Sequence, residues 1–179
     1  MTIKKLFLAL SSVLCFSNAF AYDGTITIQG RVTNQTCSVM AGSDDLTVTL
    51  PTVGVNAFNS AGQGGRVAGR TPFAIELQGC NVAAGSYVSA YFEPSDGVTN
   101  NLLNNTAAAE AVANVRVQLL NSQFQPILLS NGTASTQNST KVEVNSATPV
   151  LNYFAQYYAD GQVNPGEVHA QVHYTIVYN

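Results

Sequence analysis

Apolar and polar positions alternate along most of the chain. From residue 25 to residue 32 the alternation is strict: Ile26, Ile28, Gly30 and Val32 share one face, while Thr25, Thr27, Gln29 and Arg31 share the other. A period of two is that of a β-strand, whose successive side chains point to opposite faces. The same pattern predicts strands over residues 37–40, 46–50, 73–77, 87–92, 115–120, 127–129, 141–144, 150–158 and 167–178. Val, Ile, Thr, Tyr and Phe dominate these segments, as a pleated, half-buried surface favours. Turn chemistry separates them: Asp96-Gly97, Asn131-Gly132, Asp160-Gly161, Asn164-Pro165-Gly166 and the glycine-rich stretch 59–65. Residues 106–113 are Ala-rich but short, and predict no more than a helical turn within a loop. Many short strands with regular punctuation predict an all-β, antiparallel sandwich.

The first residues follow a different rule. Lys4 and Lys5 precede the apolar run 6–16, and Ala19-Phe20-Ala21 supplies a small-x-small cleavage site. This order predicts a secretory signal over residues 1–21, with Tyr22 as the first mature residue. Its removal leaves 158 residues, enough for one domain with a core. Residues 22–35 are then an N-terminal extension and 36–179 the folded domain.

The mature chain keeps five basic and ten acidic side chains, a formal charge of −5. It shows no basic patch, which argues against a nucleic-acid partner. Charged residues are only 9% of the chain, against about 25% in an ordinary soluble domain. This deficit predicts that much of the surface is neutral or covered by another chain. Cys15 leaves with the signal. Cys37 and Cys80 remain, and in an exported protein such a pair predicts one disulfide. Closing that loop stabilises by roughly 4 kcal/mol in the chain-entropy model.

Candidate chemistry is sparse. His169 and His173, with Glu167 nearby, have the four-residue spacing of half a helical zinc site. On a strand, residues four apart lie about 13 Å from one another, so one metal does not take both. The chain has no HExxH, no GxSxG and no P-loop ending after Gly62-Gln63-Gly64-Gly65-Arg66, and its carboxylates are scattered singly. No catalytic site, metal or cofactor is expected. Four Asn-x-Ser/Thr matches, at Asn34, Asn104, Asn131 and Asn138, are what an Asn- and Thr-rich chain yields by chance.

The two ends are more informative. The most regular alternating segment directly follows the signal and precedes the first cysteine. At the other end Ala170, Val172, Tyr174, Ile176 and Tyr178 share one strand face, and the sequence stops two residues after Val177. The stretch 23–32 followed by Cys37-Ser38-Val39, then Cys80 after residues 73–79, resembles the chaperone–usher fimbrial subunits. So do residues 152–161, Gly166 fourteenth from the end, and the penultimate Tyr178. The likeness runs over the mature chain, is sharpest at the ends and cysteines, and is weakest over 57–68 and 96–113. The absence of tryptophan separates the chain from antibody-type domains, which pack a Trp on their disulfide.

The resemblance implies an incomplete immunoglobulin-like sandwich lacking its final strand, completed by donor-strand exchange. It implies a subunit of an adhesive fimbria on the bacterial surface, a major one, exported through the periplasm. Ile26, Ile28, Gly30 and Val32 then form the donor strand. Gly166, Val172, Tyr174, Ile176, Tyr178 and Asn179 form the acceptor groove and the edge offered to a chaperone. The implied partners are neighbouring subunits joined head to tail, a periplasmic chaperone, an outer-membrane usher, and minor pilins or a tip adhesin. Two other classes compete. A tip adhesin needs a further receptor-binding domain, and only a minor adaptor subunit shares both end motifs. A secreted enzyme on a sandwich needs convergent titratable groups, which the sequence does not offer.

Overall fold

The computed structural model describes residues 26–32, 36–58, 66–83, 85–108 and 114–178. The chain divides into two units, residues 1–32 and 33–179. In the first, residues 26–32 form no regular secondary structure, and Ile26, Ile28 and Val32 are 89%, 91% and 100% exposed. The alternation over 25–32 therefore finds no strand partner among the described residues. The signal over 1–21 lies outside them.

In the second unit the described residues form β1 (Thr36–Val39), β2 (Arg66–Asn81), β3 (Tyr87–Pro94), β4 (Val98–Thr99) and β5 (Leu102–Leu103). They continue with β6 (Val115–Leu120), β7 (Lys141–Glu143), β8 (Val150–Ala159) and β9 (Val172–Tyr178); the one helical element among the described residues is a 3-10 turn at Val55–Ala57. One sheet runs β1-β2-β8-β6-β5-β4 and the other β7-β3-β9, with every pairing antiparallel. This is the all-β sandwich that the alternation predicts.

The core lies between the inner faces. β8 is paired on both sides, by β2 and β6, and its inward positions Leu151, Tyr153 and Ala155 are buried. They meet Ile75 and Leu77 from β2 and Val88, Ala90 and Phe92 from β3. Fully burying each of the Val, Leu, Ile and Phe side chains stabilises by about 1.5–3 kcal/mol. Tyr153 crosses from one sheet to the other. Its ring stands edge-on to Phe92, and its hydroxyl accepts from the Ala90 amide and meets Ser139 Oγ at 2.8 Å. Burial pushes this phenol above its ordinary pKa, partly offset by those hydrogen bonds. β7 covers β3 only as far as Ser89. Beyond it the buried Gln137 side chain takes the strand's place, donating to Phe92 O at 2.7 Å and accepting from Phe92 N at 2.8 Å. This satisfies a core amide that would otherwise cost about 1–3 kcal/mol. Cys37 and Cys80 form the expected disulfide and tie β1 to the end of β2.

Several boundaries differ from the pattern reading. β2 extends over 16 residues rather than five, with its register shifting between Ala68 and Thr71, where Gly69 has φ +64°. A side chain at that position would also meet the Tyr157 ring at 2.9 Å, which fixes glycine there. Residues 127–129 are not a strand: only the Leu120–Pro126 bridge forms, although Ile127 is fully buried. The last strand starts at Val172 rather than at residue 167, because β3, which templates it, ends at Pro94 opposite Val172. β4 and β5 lie in a stretch for which the pattern predicts no strand; at two residues each they are too short to show a period. Most of the candidate helical turn, residues 109–113, lies outside the described residues, as does the glycine-rich loop 59–65. Residues 46–50 form no paired strand, which bears on the site below.

Candidate functional site

Residues 46–50 keep the apolar alternation of a strand, with Val48 and Leu50 packed against the core and Leu46 41% exposed. Yet no backbone hydrogen bond joins them to any described residue. Facing them, β9 pairs with β3 on one side only, so its other edge is free among the described residues. Between these two segments lies a groove of about 800 Å³. Its rims carry Leu46, Val48 and Leu50 on one side and Val168, Ala170, Val172, Tyr174 and Ile176 on the other; core side chains such as Phe73, Ile75, Phe92 and Leu119 form the floor. The groove thus combines an apolar floor with backbone edges that have hydrogen-bonding capacity to spare. Chemically this arrangement suits an extended apolar segment.

Hydrogen bonds close each end. At one end Tyr174 donates to Ser43 O at 2.7 Å, while Tyr178 Oη accepts from Cys37 N at 2.6 Å. The Tyr174 phenol is held above its ordinary pKa, chiefly by burial and also by the nearby Asp44 carboxylate. At the other end the loop after β5 clasps the segment before β9. Asn105 Nδ2 donates to Glu167 O and Asn105 Oδ1 accepts from His169 N, both at 2.9 Å, and Thr106 N donates to His169 O at 2.8 Å. Asp44 and Asp45 line one rim, and His169 and His173 the other.

Of the residues that the sequence singled out, the structure brings Val172, Tyr174 and Ile176 together on the groove. Tyr178 lies at its end, against Cys37, and Gly166 is exposed and outside the lining. Asn179 lies outside the described residues. His169 and His173 are both exposed. Sequence reasoning missed the opposite rim, although the alternation of Leu46, Val48 and Leu50 carried its signal. It also missed the clasp at Asn105 and Thr106, for which an Asn-Thr pair in a loop gives no signal.

Comparison with known proteins agrees with this architecture. The family described as "Fimbrial protein" matches residues 26–179. The F17 fimbrial protein of Escherichia coli is 44% identical over 168 residues, covering 90% of this chain and 91% of that protein. The major fimbrial subunit SMF-1 of Stenotrophomonas maltophilia (strain K279a) is 46% identical over 167 residues, covering 90% and 95%. Among solved structures, the P pilus rod subunit PapA superposes with a TM-score of 0.61 over 80% of this chain and 99% of that one. At 14% identity, that match bears on the fold alone. The sandwich with its open groove is the incomplete immunoglobulin-like fold of such subunits. The chain belongs to the fimbrial protein family and is a structural subunit of a bacterial surface fimbria.

Proposed function

We propose that the groove is the acceptor of donor-strand exchange and that residues 22–35, after removal of a signal over 1–21, are the donor that this subunit lends to a neighbour. The observation that carries this reading is the groove itself: an apolar floor between two backbone segments with no partner along the open side among the described residues. Its dimensions support it. The rim from Val168 to Ile176 extends over roughly 27 Å at strand rise, and the alternating segment from Ile26 to Val32 over roughly 20 Å. Four inward positions, Ile26, Ile28, Gly30 and Val32, face a floor built from both sheets. Burying the three branched side chains contributes about 1.5–3 kcal/mol each. Backbone bonds to the two rims add about 0.5–1.5 kcal/mol apiece.

Donor and acceptor are different surfaces of one chain, so the joint is head to tail and propagates as an open filament. Before joining, the same groove needs a temporary occupant, since an open apolar edge invites aggregation. A periplasmic chaperone's strand fills that role, with β9 from Val172 to Tyr178 as the edge it pairs with and Asn179 as its terminal anchor. An outer-membrane usher then receives the subunit, and minor pilins or a tip adhesin complete the fibre that adheres to a surface.

The test uses Gly30→Leu. A Cβ at Gly30 meets no described residue within 4 Å, so a side chain can start there without a clash in the subunit itself. The expected outcome is normal chaperone–subunit complexes, with the disulfide intact, and no fibres. Normal fibres from this variant would remove Gly30 from the buried face of the donor.

A further inference from the structure

The two ends of the groove are built by different means, and the end at Val168 has a maker outside both rims. β3 templates the rim only from Val172 onward. The four residues before it, Val168 to Gln171, line the groove without belonging to a strand. What fixes the start of this stretch is the loop after β5. Asn105 uses its whole amide: Nδ2 donates to Glu167 O, and Oδ1 accepts from the amides of His169 and Ala107. Thr106 adds its own amide and hydroxyl, both donating to His169 O, at 2.8 and 3.2 Å. Val168 lies between the two clasped residues and packs on the core with its side chain.

We propose that Asn105 and Thr106 are positioning residues for strand acceptance, holding Val168 and Ala170 in place for one end of the incoming donor. The inference rests on the acceptor reading of the groove. The clasp touches no donor side chain. It acts by pre-organising two apolar positions that would otherwise be ordered only on binding, and pre-organisation acts mainly on the dissociation rate. Because it sits at one end, its influence is confined to the donor residue seated there.

The experiment uses the purified chaperone–subunit complex of the chain from residue 22 onward and a synthetic peptide of residues 22–35. Displacement of the chaperone by the peptide with the wild-type subunit tests the acceptor reading on its own, and no displacement would overturn that reading, and the clasp with it. With displacement in hand, Asn105→Ala is expected to speed peptide dissociation about tenfold, the factor that a net loss of roughly one hydrogen bond implies. Thr106→Val, which removes only the hydroxyl, is expected to give a smaller increase. If Asn105→Ala yields no complex, Thr106→Val carries the test.

A purely structural role would weaken every donor position alike. The deciding readout is therefore a double-mutant cycle with peptides carrying Ile26→Ala or Val32→Ala. The clasp variants should couple to one of these two substitutions and not to the other. Dissociation at the wild-type rate in every variant, or equal coupling to both ends of the peptide, would overturn the proposal.

Discussion

The two rims of the groove are both apolar and extended in sequence pattern, yet one is a strand and the other is not. β9 is held along its length by β3, from Val172 opposite Pro94 to Tyr178 opposite Val88. Residues 46–50 carry an equally regular pattern but have no ladder among the described residues. Apolar alternation fixes which side chains face the core. It does not supply a hydrogen-bonding neighbour, and none of the described residues takes that place on the side where the groove opens. β9 therefore belongs to the stability of the domain, and residues 46–50 to its completion.

The sharpest way to break this contrast is a charge on each rim. Ile176 packs against the core opposite Ala90, so Ile176→Asp is expected to destabilise the domain by about 3 kcal/mol or more. The chaperone complex should then be lost, as judged by co-purification. Leu46 is 41% exposed, and Leu46→Asp should lower the subunit's unfolding free energy in urea by less than about 1 kcal/mol while weakening fibres. Equal losses of subunit stability from the two variants would refute the division of roles.

A proline gives a milder comparison. Because the amide of Thr49 has no partner among the described residues, Thr49→Pro removes nothing from the isolated domain. It removes one bond that an added strand would make, worth about 0.5–1.5 kcal/mol. Fibres of this variant should dissociate at lower denaturant concentration, while the chaperone-bound subunit melts as the wild type does. A melting point that falls in the complex and leaves the fibre unchanged would show that residues 46–50 support the domain rather than its joint.

How much of this was legible in the sequence depends on what each element needed. β6 and β8 were readable almost to the residue: β6 sets Val115, Val117 and Leu119 on one buried face, and β8 is ten residues long and rich in aromatic side chains. The disulfide was readable from two cysteines in an exported chain. Residues 46–50 were read as a strand on the same evidence and are not one, since pairing depends on a partner that the local sequence does not encode. Residues 127–129 were misread for the opposite reason: Ile127 is buried by tertiary packing in a turn-rich loop, not by a strand. In the groove, Val172, Tyr174 and Ile176 were visible as one face of the last strand, while Asn105 was not. A single amide that satisfies three backbone groups leaves no periodic trace.

The smallest expected effect concerns the tyrosine-closed end. Tyr174 donates to Ser43 O, and its phenol is raised above the ordinary value of 10.0 by burial first and by Asp44 second. A raised folded-state pKa means that the folded domain favours the protonated phenol. The corresponding stability is fully present below pH 10.0, where the unfolded phenol is also protonated. It declines as the pH rises through 10.0 and is lost once the folded phenol ionises at its higher value. Tyr174→Phe has no such proton to lose. The variant should be slightly less stable than wild type at neutral pH, by about 0.5–1.5 kcal/mol for the missing hydrogen bond. Above pH 10 its stability should fall less steeply, although Tyr153 and Tyr157, raised by burial and still present, keep some slope in both proteins. Parallel curves of unfolding free energy against pH would show that the Tyr174 hydroxyl contributes no differential protonation, and that this end of the groove is held by packing of the ring alone.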